Sequence, residues 1–125
     1  MTSVAERIAH LQSDGALGAL KRSLDVYYGD APRDAAMDRL YARFVKVGDL
    51  AFDIGSHVGD RIGAFRRLGA RVVALEPQPL CAKAIRTIYE GDSGVTLVEE
   101  ACGPAPGALD LHINSANPTV TTAST

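Results

Sequence analysis

Leu50-Ala51-Phe52-Asp53-Ile54-Gly55-Ser56-His57-Val58-Gly59-Asp60 is the stretch on which the reading of this chain turns. Its first five residues form an apolar run too short for a helix, with Gly48 before it and Gly55 after it. Such a run suits a parallel strand covered by helices on both faces. The glycines that follow carry the chain from strand to helix, the place where open α/β sheets bind ligands. Gly55 lets the backbone turn tightly and approach a ligand without a side chain in the way, and Gly59 allows close contact at the helix start. The first amides of that helix can hold an anionic group such as a carboxylate.

Outward from this stretch the pattern alternates. A helix is expected over 59–68, with Ile62, Phe65 and Leu68 facing inward and Gly69 at its end. Arg71-Val72-Val73-Ala74-Leu75 reads as a second buried strand. Pro79 opens another helix, carrying Leu80, Ala84, Ile85 and Ile88 and stopping near Gly91. Val95-Thr96-Leu97-Val98 reads as a third strand. Strand, helix, strand, helix, strand predicts a Rossmann-like α/β fold with a parallel sheet. Leu109, Leu111 and Ile113 alternate with Asp110 and His112, which predicts a half-exposed fourth strand after the turn Gly103-Pro104-Ala105-Pro106-Gly107.

Upstream the chain is helical. Val4, Ile8 and Leu11 share one helix face, and Leu17, Leu20 and Leu24 share a second. Asp30 is placed to cap a third helix, with Pro32 in its first turn and Met37, Leu40, Tyr41 and Phe44 on its apolar side. The division expected is a helical segment over 1–46 and a cofactor-binding α/β domain over 47–125.

Three elements carry chemistry. The Asp53-x-Gly55-x-x-x-Gly59 spacing departs from the Gly-x-Gly-x-x-Gly of dinucleotide sites. A pyrophosphate there would face Asp53 and Asp60, whereas S-adenosylmethionine carries a cationic sulfonium and an ammonium. Ser56 and His57 lie inside the same loop, within reach of a bound cofactor. Glu76 ends the second strand about 20 residues beyond the loop, where a carboxylate can accept from both hydroxyls of an adenosine ribose. The alternative for a lone glutamate is a helix-capping or solvated acid. Past the third strand, Glu100 beside Ala101 is placed to meet an adenine amino group, and a solvated loop acid is the alternative there. Tyr27, Tyr28 and Tyr41 could line a substrate entrance or simply pack in the core.

Bulk properties exclude several classes. The 125 residues hold 13 Lys and Arg against 15 Asp and Glu, for a net charge of −2. Nucleic-acid and anionic-membrane binding run on clustered positive charge, so neither partner is expected. Cys81 and Cys102 have no metal-site spacing, and His10, His57 and His112 have none either, so free thiols and no metal are expected. Glu6, Arg7 and His10 interrupt the N-terminal apolar residues, which argues against a signal peptide. A cytoplasmic protein is the expectation.

Residues 41–124 resemble the FkbM-type methyltransferase family, among the class I S-adenosylmethionine-dependent enzymes. The stretch from Gly48 to Arg61 resembles its first motif, Val73-Ala74-Leu75-Glu76-Pro77 its second, and Val98-Glu99-Glu100-Ala101-Cys102-Gly103 its third. The resemblance implies S-adenosyl-L-methionine as cofactor, with the glycine loop near its methionyl part, Glu76 on the ribose and the Glu100 region near adenine. It implies methyl transfer to oxygen on a small molecule or saccharide. Family members continue to a strand ending in an Asp-Val-Glu-Gly-like motif, which these residues lack. The expectation is therefore a cofactor-binding half, and catalytic residues are not assigned. Its alternatives are a non-catalytic binding or interaction module and, against the glycine spacing, a nicotinamide-dependent oxidoreductase. A first strand without its second neighbour would have a free edge, so a homo-oligomer is also expected.

Overall fold

The computed structural model describes residues 2–123. Ser3 and Glu6 start the first helix by exchanging hydrogen bonds: Glu6 N donates to Ser3 Oγ at 3.1 Å and Ser3 N to Glu6 Oε2 at 2.6 Å. This helix, α1 (Val4–Ser13), leads through a 3₁₀ turn (Gly15–Leu17) to α2 (Leu20–Tyr28). Leu17 therefore belongs to the turn and not to the second helix, yet it is buried all the same. Asp30 accepts from Arg33 N at 2.9 Å and caps α3 (Ala31–Tyr41), with Pro32 in its first turn.

Three parallel strands follow, β1 (Leu50–Ile54), β2 (Arg71–Leu75) and β3 (Val95–Val98), joined by α4 (Asp60–Arg67) and α5 (Pro79–Ile88). The sheet order is β1-β2-β3, with Phe52 beside Val73 and Val73 beside Thr96. This mixed α/β architecture, five helices and a parallel sheet among the described residues, is compatible with a Rossmann-like fold. Leu11, Leu17, Leu20 and Leu24 from the N-terminal segment share one core with Val58, Ile62, Val72, Ala74, Ile85 and Ile88. Arg7 strengthens that union, donating from Nη1 to the carbonyls of Ile88 and Glu90. Among the described residues no helix is long and apolar enough to cross a membrane.

The structure corrects four expectations. Strand β1 is not covered on both faces: Leu50 is 47% exposed, Phe52 61% and Ile54 59%. Helices α4 and α5 pack on the other face, so Asp53, Val72 and Ala74 are buried, while the alternate row is exposed in β1 and half-buried at Val73 and Leu75 of β2. Residues 109–113 form no strand. Only His112 bridges, antiparallel, to Thr122, and Leu109 and Ile113 remain exposed. Alternation makes a strand only where a sheet edge supplies partners, and this segment lies elsewhere, over the ends of β1 and β2. Consequently β1 is an outer strand, with no described segment on its far edge. The third helix stops at Tyr41 and buries no residue fully, with Leu40 and Phe44 exposed; Tyr41 alone packs, its ring 4.9 Å from that of Phe65. On α5 the inward position falls to Cys81, and Leu80 points out.

Candidate functional site

At the carboxyl ends of β1 and β2 the chain leaves the sheet by the glycine loop and by Glu76-Pro77-Gln78. Between them lies a cavity of about 350 Å³. Gly55, Ser56, His57, Asp60 and Arg61 border it from the loop and α4, and Glu76, Pro77 and Gln78 from the β2 side. Its volume falls in the lower part of the range for small-molecule sites.

The loop's shape follows from its residues. Gly55 has φ of +75° and Gly59 of +84°, a region closed to most side chains. A Cβ on Gly55 would meet no protein atom within 4 Å, so the space before it is open to a ligand. A Cβ on Gly59 would meet Ile62, Tyr89 and Ile85 at 3.1–3.2 Å, so that glycine serves close packing. Between them His57 also has a positive φ, +54°, which histidine tolerates better than most residues. Ser56 Oγ donates to Asp53 O at 2.7 Å and closes the turn.

Glu76 holds the two walls together. His57 N donates to its Oε1 at 2.7 Å and Gln78 N to its Oε2 at 2.9 Å. Only 3% of the residue is exposed, and burial raises its carboxyl above the ordinary range against the pull of those two amides. Each carboxylate oxygen retains a lone pair for a further donor. Asp53 is buried on the helix side of β1. Burial raises its pKa too, Ser56 and Arg61 oppose the shift, and Arg61 Nη1 lies 3.8 Å away. Arg33 Nη2 donates to Asp60 Oδ2 at 3.0 Å, so α3 also reaches the loop.

Two buried polar atoms have no hydrogen-bond partner among the described residues, Asp53 Oδ2 and His57 Nε2. Burial lowers the pKa of His57, so the neutral ring prevails at pH 7. Its Nδ1 lies 3.7 Å from Cys81 Sγ, and the Tyr27 ring meets it edge-on at 5.4 Å. Burial pushes the Cys81 thiol up to about 12, so it stays protonated and is no nucleophile.

Of the residues named from sequence, Gly55, Ser56, His57 and Glu76 border one cavity, with Asp53 and Gly59 packed behind it. Glu100 and Ala101 are exposed and are not part of its lining, while Arg86 pairs with the neighbouring Glu99 at 2.6 Å. Tyr27 borders the cavity, whereas Tyr28 and Tyr41 do not. The remaining wall is Leu111, Pro118, Thr119 and Thr121, held by Gln78 Nε2 donating to Pro118 O at 3.1 Å. Small polar residues in an irregular segment carry no signal that would mark them as a wall.

Fold and site together define an α/β chain with a ligand-sized cavity at the carboxyl ends of a parallel sheet. No family model and no curated protein matches the chain.

Proposed function

We propose that the chain binds S-adenosyl-L-methionine in this cavity, as the cofactor-binding part of an FkbM-type methyltransferase acting on a hydroxyl of a small molecule or saccharide. The observation that carries the reading is the pairing of a glycine loop with a buried Glu76 across a cavity of about 350 Å³. The charge of the walls supports it. Among the described lining residues the acids Asp60 and Glu76 outnumber the one cation, Arg61, which favours a ligand with cationic groups over a pyrophosphate.

The residues present fit such a group. Open space before Gly55 admits the ligand, and the spare lone pairs of Glu76 accept from ribose hydroxyls. When bound, the cofactor supplies a methyl group on a cationic sulfur. The chain's part is to bind and orient: Arg61 and the α4 amides on the methionyl carboxylate, Glu76 on the ribose, Tyr27 and Leu111 excluding water. Methyl transfer gains most from holding donor and acceptor in line, which such a rigid cradle serves.

Calorimetric titration with S-adenosylhomocysteine and, separately, with NAD tests the reading. Saturable binding of the first and none of the second is expected. Preference for NAD, or no binding of S-adenosylhomocysteine by folded protein, would overturn it.

A further inference from the structure

Behind the glycine loop, on the side away from the cavity, two tyrosine hydroxyls meet. Tyr28 Oη donates to Val58 O at 2.7 Å, and Tyr89 Oη donates to Gly59 O at 2.6 Å. The two oxygens are 3.0 Å apart. Tyr28 comes from α2 and Tyr89 from the end of α5, so two elements outside the loop converge on consecutive carbonyls. Val58 and Gly59 are buried and form no part of the cavity wall, whereas His57 and Asp60 on either side do.

The surroundings are shaped for this contact. Gly63 lies inside α4, where glycine is a poor helix residue. A Cβ there would fall 2.9 Å from Tyr89 Oη, so the glycine makes room for that hydroxyl. Gly59 likewise leaves room for the Tyr89 ring, whose Cε2 would be 3.1 Å from an added Cβ. The hydroxyls hold two protons, and with both donated to the carbonyls the 3.0 Å contact between the oxygens carries none; Gly59 O also accepts from Gly63 N at 3.3 Å.

We infer that the Tyr28–Tyr89 hydroxyl pair positions the glycine loop, holding the carbonyls of Val58 and Gly59 inward and so presenting His57 and the first amides of α4 to the cavity. A planar trans peptide points its carbonyl and amide opposite ways, so fixing Gly59 O inward turns Asp60 N–H outward. Gly59 itself offers no side-chain cap to those amides. Docking of the N-terminal helices and the shape of the site are thereby linked through Tyr28. The consequence for ligand affinity rests on the cofactor reading above; the consequence for loop geometry does not.

The test combines amide hydrogen exchange with calorimetry on wild type, Tyr28→Phe, Tyr89→Phe and, as a control, Leu11→Val, which loosens the core in α1. In both tyrosine variants the amides of His57, Gly59 and Asp60 should exchange faster relative to those of β2. Affinity for S-adenosylhomocysteine should fall about fivefold, the worth of one hydrogen bond. Leu11→Val should lower the unfolding midpoint and leave both loop exchange and affinity unchanged. Loop exchange and affinity equal to wild type in both tyrosine variants would overturn the inference. So would losses that Leu11→Val reproduces at matched stability, since the pair would then be ordinary core. Faster loop exchange in the tyrosine variants, with no ligand bound even by wild type, would uphold the positioning and overturn the cofactor reading instead.

Discussion

Glu76→Ala removes the acceptor of two backbone amides at once, and its cost can be worked from the contacts. His57 N and Gln78 N each lose a carboxylate oxygen at 2.7 and 2.9 Å. An amide left without a partner in the interior costs about 1–3 kcal/mol. Both residues are only half-buried, so water can reach the vacated space and the low end applies to each. The sum is about 2 kcal/mol, a large share of the roughly 5–15 kcal/mol that holds a domain together. Glu76→Gln keeps one acceptor oxygen but sets an amide group against the other donor, so about half that loss is expected. Urea unfolding followed by circular dichroism measures both. An alanine variant within about 0.5 kcal/mol of wild type would refute the reasoning, because the amides would then have found equivalent partners without the carboxylate.

The same residue makes a pH-dependent prediction. Burial raises the Glu76 carboxyl above its ordinary value of 4.5 in the folded state. Folded protein then binds the proton more tightly than unfolded protein does. The residue's contribution is most favourable below 4.5 and declines as pH rises through the folded pKa, after which it is constant. Since glutamine does not titrate, the stability difference between wild type and Glu76→Gln should move against wild type over that window. A difference that is flat from about pH 4 to pH 8 would show that the carboxylate pays no net desolvation cost in the fold.

Two other perturbations probe the loop and the open face of the sheet. Gly59→Ala must place a Cβ at φ +84° against Ile62, Tyr89 and Ile85; a loss of about 2–3 kcal/mol is expected from the strain and the crowding, and an unchanged thermal midpoint would refute the packing described. Phe52→Lys alters a side chain that is 61% exposed, so stability should change by no more than about 0.5 kcal/mol. Light scattering should show wild-type mass rising with concentration and this variant holding closer to a monomer, because apolar surface beside a free strand edge favours association. Equal monomeric mass for both at high concentration would remove the case for a homo-oligomer.

The parts of this fold that sequence makes legible are those with local causes. Asp30 and Pro32 mark the start of α3 because a cap and a fixed φ need no tertiary context. Gly55, Gly59 and Gly69 mark turns because their positive φ excludes most other residues. Glu76 is legible as a candidate from its place at a strand end beyond the loop, and it does line the cavity, although its two bonds to His57 N and Gln78 N are not legible. Where the outcome depends on what packs against an element, the pattern alone fails. In β1 the burial runs against polarity: Asp53 lies under the helices, near Arg61 and Ser56, while Leu50, Phe52 and Ile54 face outward. Five residues with one acid cannot reveal which row the helices choose.

The N-terminal helices show why a boundary drawn from composition can miss a working connection. Residues 1–46 look unlike the segment that follows, with leucines at helical spacing and no strand. Yet Tyr27 borders the cavity, Tyr28 holds a loop carbonyl and Arg33 pairs with Asp60. All three come from one corner, the end of α2 and the first turn of α3. The corner is built by Gly29 and Asp30, ordinary turn chemistry that points to no ligand. Its importance arises from where it lands, against His57-Val58-Gly59-Asp60. A glycine loop gains freedom from having no side chains to anchor it, so something outside must restrict it. Here the restriction comes from aromatic hydroxyls and a guanidinium reaching in from the helices, and the cavity owes its shape to them as much as to the glycines.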